Sequence, residues 1–226
     1  MVLKLDTVSV RYSPDAAPAV KDCNLSLQPG EKVALVGCNG SGKSSLLMAI
    51  VGLIPHSGDI QVNDTPVTKK NLDTIRSNVG FLFSIPDHQL LFPDPVQDIG
   101  FALTRRGYSA AEARHEALGL MESLDIAALA GKSTHALSHG QRMRVALAGT
   151  IITKPPLLLL DEPSGGLDPP GRTALARQLG SMDSAMLMAT HDLDFARQVC
   201  NRWILLEEGN ITQHSSNMDT IQNIWE

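Results

Sequence analysis

Apolar and polar positions alternate at the start of the chain, where Val2, Leu3, Leu5, Val8 and Val10 are interleaved with polar residues. That period of two predicts a strand over residues 2–12. Ser13–Pro18 reads as a turn or loop, Cys23–Gln28 as a second strand, and Pro29-Gly30 as the turn that ends it. Lys32–Val36 is a short apolar run that stops at a glycine-rich loop, and a helical pattern follows from Ser44 to about Leu53. Ser57-Gly58-Asp59 predicts a turn into a strand at Ile60–Val62, and Val79–Phe83 predicts another strand. From about Asp87 to Gly149 the spacing becomes helical, over Ala110–Leu124 and again over Ser138–Thr153.

Leu157–Leu160 is apolar on every side, as a parallel strand covered on both faces must be. Ala185–Ala189 is a second such run, residues 192–200 are helical, and Trp203–Glu207 with Asn210–Gln213 predicts a hairpin around Glu208-Gly209. The chain of 226 residues therefore reads as a single α/β domain. Residues 1–86 and 151–226 form its core, and a helical insert occupies about 87–150.

Composition narrows the classes. A 43% hydrophobic content is ample for a buried core, and a net charge of −5 argues against a nucleic-acid backbone as the main partner. Cys23, Cys38 and Cys200 are too few and too scattered for a disulfide framework or a metal knuckle, which points to reduced thiols. The first residues lack the apolar core of a signal peptide, and no run approaches the ~20 apolar residues of a membrane helix. Any service to a membrane would be given from the water side, through a partner.

Gly37-Cys38-Asn39-Gly40-Ser41-Gly42-Lys43-Ser44 fits the phosphate-loop pattern G-x-x-x-x-G-K-[ST], with a strand before it and a helix after it. Glycines let the backbone curl so that successive N–H groups point at phosphates, and the helix adds its positive end. Lys43 is the movable cation for the β- and γ-phosphates, Ser44 supplies a hydroxyl for Mg²⁺, and Ser45 follows in the same turn. The pattern specifies a nucleoside triphosphate without specifying a task. Asp161, at the tip of the leucine strand, suits Mg²⁺. Glu162 beside it suits a water attacking the γ-phosphate. Ser138 and Gln141 match a capping box, which explains both residues as a helix start. The same helix tip, with Ser138 and the Gly140 N–H, also reads as an anion site.

Leu137-Ser138-His139-Gly140-Gln141-Arg142-Met143-Arg144-Val145-Ala146-Leu147-Ala148-Gly149 closely resembles the signature of ABC-type ATPases, about 20 residues before Leu157–Pro163. Ser164–Asp168 resembles that family's D-loop, Thr190-His191-Asp192 its switch histidine, and Tyr12 stands where the family places an aromatic ring against adenine. The resemblance covers the whole chain. It implies a RecA-like core with an antiparallel β-subdomain and a helical subdomain. It further implies two cassettes packed head to tail around two ATP molecules. Each ATP is then held by one chain's phosphate loop and the other chain's Ser138, Gly140 and Gln141. In this scheme Glu162 is the general base, His191 contacts the γ-phosphate, and Asp168 communicates between chains.

Two positions depart from the family pattern. His139 replaces the usual glycine, a change seen among relatives. Ser84 stands where the Q-loop glutamine belongs; serine is too short to reach metal or membrane partner as glutamine does without a bridging water. Gln89, five residues on, is the candidate to take over or to serve separately. Pro86–Leu90 and Arg144–Gly149 resemble the corresponding segments of energy-coupling-factor importers and cobalt/nickel uptake ATPases. The expectation is an ATPase subunit at the cytoplasmic face of the cell membrane. It would work with integral membrane subunits and a second ATPase subunit, and would power uptake of a transition-metal ion or a vitamin. Alternatives are an exporter or lipoprotein-release ATPase, a soluble ABC-type ATPase acting on ribosomes or DNA, and a P-loop small-molecule kinase. Seven histidines form no ligand cluster in the sequence, so they carry no information on a metal cargo.

Overall fold

A computed structural model describes residues 1–13 and 15–217; Pro14, inside the predicted 13–18 turn, lies outside the described residues. Two sheets organise the chain. The first is antiparallel, in the order β2-β1-β4-β5, from β1 (Leu3–Val10), β2 (Val20–Leu27), β4 (His56–Val62) and the two-residue β5 (Thr65–Pro66). The second has six strands in the order β10-β9-β3-β8-β7-β6. They are β3 (Lys32–Val36), β6 (Val79–Leu82), β7 (Leu157–Asp161), β8 (Ala185–Thr190), β9 (Arg202–Glu207) and β10 (Asn210–Ser215). Only β10 runs antiparallel to its neighbour; β9, β3, β8, β7 and β6 are parallel.

Alternation across the parallel strands decides what each face covers. Leu157 and Leu159 join one apolar cluster with Val33, Leu35, Leu187 and the helix α1 (Lys43–Ile50). Leu158 and Leu160 join another with Ala34, Val36, Met186 and Met188. That second cluster is closed by α5 (His139–Ile151), α6 (Pro169–Ser181) and α7 (Leu193–Val199). All four leucines of β7 are fully buried, each contributing about 2 kcal/mol of gross transfer energy. A third cluster sits among α3 (Pro95–Thr104), α4 (Ala110–Ser123) and α5, built from Val96, Ile99, Ala117, Met121, Val145 and Ala148.

Two helices were not expected, α2 (Leu72–Asn78) and α6, while α3 falls inside the expected helical insert without having been delimited. The turn expected at Ser57-Gly58-Asp59 is a correction of another kind, because Gly58 lies inside β4. There β1 is bulged. Thr7 has φ +53°, its N–H donates to Asn24 Oδ1 at 2.9 Å, and the register with β4 skips between Asp6 and Ser9. Gly58 answers that bulge with φ +79°, and a Cβ there would stand 2.3 Å from the Thr7 carbonyl oxygen. The glycine signal marked a close approach of two strands rather than a chain reversal.

Gly58→Ala is expected to lower the unfolding free energy by about 2 kcal/mol. Equilibrium urea denaturation reads this as a lower midpoint at unchanged slope; a midpoint equal to wild type would show that β1 yields at no cost.

Candidate nucleotide site

Because β3, β8, β7 and β6 are parallel neighbours, their carboxyl ends share one edge, where open α/β sheets bind ligands. β3 runs into the glycine loop, β7 ends on Asp161, β8 ends on Thr190, and Ser84 lies just past β6. Register sets Val36 opposite Thr190, and Asp161 opposite Ala189. Four segments far apart in sequence are thereby brought to one place.

The loop fits a phosphate chain. Gly42 has φ +108°, and a Cβ on it would lie 2.2 Å from the Ala19 carbonyl oxygen, so glycine is required there. No side chain caps α1, so its first N–H groups are left for an anion. Ser41 Oγ is buried without a partner among the described residues. Lys43 Nζ donates to the carbonyls of Gly37 at 2.6 Å and Cys38 at 3.0 Å. Burial pulls the Lys43 pKa down, and the Glu162 and Asp161 carboxylates oppose that shift. Cys38 is exposed on the loop, whereas burial pushes the thiols of Cys23 and Cys200 up to about 12.

The acidic groups are held by hydroxyls. Ser44 Oγ donates to Asp161 Oδ1 at 3.0 Å. Ser84 also hydrogen-bonds Asp161, so the serine in the Q-loop position touches the acidic cluster itself. Two hydroxyls and a carboxylate make an all-oxygen set that suits Mg²⁺. Burial raises the Asp161 pKa, and the two hydroxyls and Lys43 oppose that rise. Glu162 adopts φ +49°, an uncommon conformation for a side-chain-bearing residue. Its Oε2 accepts from Thr190 Oγ1 and its Oε1 meets His191 Nδ1, both at 2.9 Å. Thr190 is wholly buried and accepts from the Asp192 N–H at 3.0 Å. Asp192 caps α7, takes Ser164 Oγ at 3.0 Å and pairs with Arg172, tying the segment after Glu162 to the start of α7. Sequence reasoning passed over Thr190 and Arg172 as partners, because neither stands next to its acceptor in the chain.

Asn39, Gly40, Gly42, Lys43, Ser44, Ser84 and Glu162 line one cleft of about 230 Å³. Tyr12, 59% exposed, stands beside α1 with its OH 2.8 Å from Ser45 Oγ. Ser138, Gly140, Gln141 and Asp168 are not among the residues lining that cleft. Ser138 and Gln141 form a reciprocal capping box at the start of α5, and Asp168 Oδ1 caps α6 through the Gly171 N–H. A larger cavity of about 800 Å³, between α4 and the ends of α5 and α6, contains none of these residues; chemistry, not volume, locates the site.

Comparison with known proteins shows the family. The family model for ABC transporters matches residues 20–165. An ABC transporter ATP-binding protein of Gloeobacter violaceus is 40% identical over 216 residues, 93% of this chain and 88% of its own. The energy-coupling factor transporter ATP-binding protein EcfA2 of Clostridium perfringens is 33% identical over 217 residues, 93% of this chain and 76% of its own. The structure of cbiO1 from Clostridium perfringens, part of the ABC transporter complex cbiONQ, is similar with a TM-score of 0.84 at 30% identity, covering 99% and 91% of the two chains. The cassette MJ0796, solved as a dimer in a post-hydrolysis state with ADP and Pi, gives 0.83 at 26% identity over 94% and 97%. The chain belongs to the ATP-binding proteins of ABC transporters. It is the ATP-hydrolysing subunit of such a transporter, with the cassette's P-loop fold and a site for ATP and ADP.

The raised Asp161 pKa has a consequence for stability. A carboxyl that ionises less readily in the folded chain destabilises the fold once pH rises through its folded pKa; below its ordinary value of 3.8 the penalty is absent. Asp161→Asn is therefore expected to be more stable than wild type at neutral pH, and the difference to shrink as pH falls towards that value. Urea unfolding across this range checks the sign, and a variant less stable at neutral pH contradicts it.

Proposed function

We propose that this subunit powers an importer of the energy-coupling-factor type, with a transition-metal ion such as cobalt or nickel, or a vitamin, as cargo. The observation that carries the reading is an apolar group beside the short 3₁₀ turn Pro86–His88. Ile85 and Leu91, which flank that turn in sequence, are both exposed. No helix among the described residues is long and apolar enough to cross a membrane. Exposed apolar side chains grouped this way mark an interaction surface, and helices of an integral membrane subunit are the occupant proposed. The chain would then sit at the cytoplasmic face of the membrane. The likeness to EcfA2 and cbiO1 supports this choice over an exporter or a lipoprotein-release ATPase.

At the site, backbone N–H groups of Gly37–Ser45 would cradle the phosphates, with Tyr12 against adenine. Lys43 would exchange the loop carbonyls for phosphate oxygens. Ser44, Asp161 and Ser84 would hold Mg²⁺, which when bound supplies charge neutralisation at the phosphate oxygens. Glu162, oriented by Thr190 and His191, would take the proton of the attacking water, with His191 towards the γ-phosphate. A cleft without Ser138, Gly140, Gln141 or Asp168 is half a site. A second cassette, identical or paralogous, would supply these residues in trans and use residues 87–150 as the moving helical part. ATP would join the halves, and hydrolysis would release them.

Glu162→Gln is expected to bind ATP and accumulate as a dimer. Size-exclusion chromatography with light scattering in saturating Mg-ATP reads the mass, and a monomer there would remove the paired-site reading. Leu91→Asp is expected to reduce the membrane-bound fraction of the chain in cells at least about fivefold. Wild-type chain recovered with ribosomes or DNA rather than membranes would favour the soluble alternative.

A further inference from the structure

Gln89 does not stand in for the missing Q-loop glutamine. Its amide is engaged elsewhere. Oε1 accepts from the Phe83 N–H at 3.3 Å, while Nε2 donates to the Ala146 carbonyl at 3.0 Å and to Thr150 Oγ1 at 2.8 Å. Both donors and one acceptor position of the amide are thus occupied by β6's exit and by α5.

Two more contacts run the same way. Thr150 Oγ1, itself buried, lies 3.1 Å from the Phe81 carbonyl of β6, so one hydroxyl touches both elements. Arg142 Nε faces Asp87 Oδ2 at 3.4 Å, and Arg142 also donates to the Leu137 carbonyl at 2.7 Å. Arg142, Ala146 and Thr150 are spaced by four and so lie along one face of α5. That face grips the 81–89 segment at three levels. The residue after Phe83 is Ser84, whose hydroxyl is on Asp161. The residues before Arg142 are the signature at the tip of α5.

We propose that Gln89 is a positioning residue that latches the Ser84 segment to α5, so that the hydroxyl on Asp161 and the signature tip are displaced together. A glutamine in place of Ser84 would have to perform both jobs with one side chain. Here the short hydroxyl serves the acidic cluster and the separate amide makes the mechanical joint. A push on exposed Leu91, two residues past Gln89, reaches both ends of the site through one joint. The proposal rests on this chain's hydrolysis of ATP and not on the identity of the membrane partner.

The test uses the full chain, with amide exchange by NMR and steady-state ATP hydrolysis. In Gln89→Ala the Phe83 amide should exchange at least about tenfold faster than wild type, with kcat down about tenfold and KM for ATP within about twofold. Thr150→Val should also speed exchange at Phe83, although Thr150 does not touch that amide. It decides the matter if Gln89→Ala does not fold. Gln89→Glu keeps the acceptor for Phe83 but loses the amide donor to Ala146 and Thr150, so kcat should fall and the Phe83 amide should exchange faster than wild type although its acceptor is still present. Unchanged exchange at Phe83 in the Ala and Val variants overturns the latch. So does a rise in KM at constant kcat, which would place Gln89 at the nucleotide. Exchange that quickens equally along β3 would mean general loosening and overturns it too.

Discussion

The parallel register of four buried strands is the constraint on which the rest depends. β3, β8, β7 and β6 have apolar side chains on both faces, and a parallel strand of that kind survives only when both faces are covered. Sliding β7 by one residue would exchange its leucines between two packed clusters and carry Asp161 off the sheet edge. Core packing therefore holds the carboxylate to within one strand step of the phosphate loop. The chemistry is placed by leucines that never meet the substrate.

That edge is also where the fold is under load. Lys43 and Asp161 are nearly buried ionisable groups, and Glu162 holds a left-handed backbone. None of these is what stability alone would select. The surroundings offset them with hydrogen bonds: Ser44 and Ser84 to Asp161, Thr190 to Glu162, loop carbonyls to Lys43. Each of those bonds adds roughly 1 kcal/mol, or somewhat more where one partner is charged. The network orients the groups and at the same time keeps the carboxylates tolerable beside each other.

What was legible in the sequence divides by range. β7, the phosphate loop and the β9–β10 hairpin were readable because each is fixed by local pattern: an apolar run, a glycine spacing, a turn at Glu208-Gly209. Helix α6 was overlooked, and α3 was left undelimited within the expected helical insert, although both carry a start signal, Asp168-Pro169 and Asp94-Pro95. In each the aspartate caps and the proline takes the first helical position. Gly58 was misread because a strand bulge and a turn call for the same residue. Ser84 and Gln89 could not be resolved from the chain alone. The direction of the Gln89 amide is set by α5, which begins 50 residues later.

The two readings left open at Ser138 are compatible once the geometry is explicit. A hydroxyl accepts and donates. Ser138 Oγ accepts from the Gln141 N–H at 3.2 Å, and Gln141 Oε1 in return accepts from the Ser138 N–H at 3.1 Å. The first N–H groups of a helix have no intrahelical acceptor. With Gln141 satisfied by the cap, the N–H groups of His139 and Gly140 remain, together with the Ser138 hydroxyl proton, on residues that are exposed or half-buried. The capping box thus fixes the shape of the tip while leaving three donors for an anion. The uncapped start of α1 differs, because there the loop itself provides the shape. One chain carries both kinds of helix start, one lining the cleft and one standing apart from it. In the proposed paired site that asymmetry would be met by a second cassette, whose helix tip would face the first across one nucleotide.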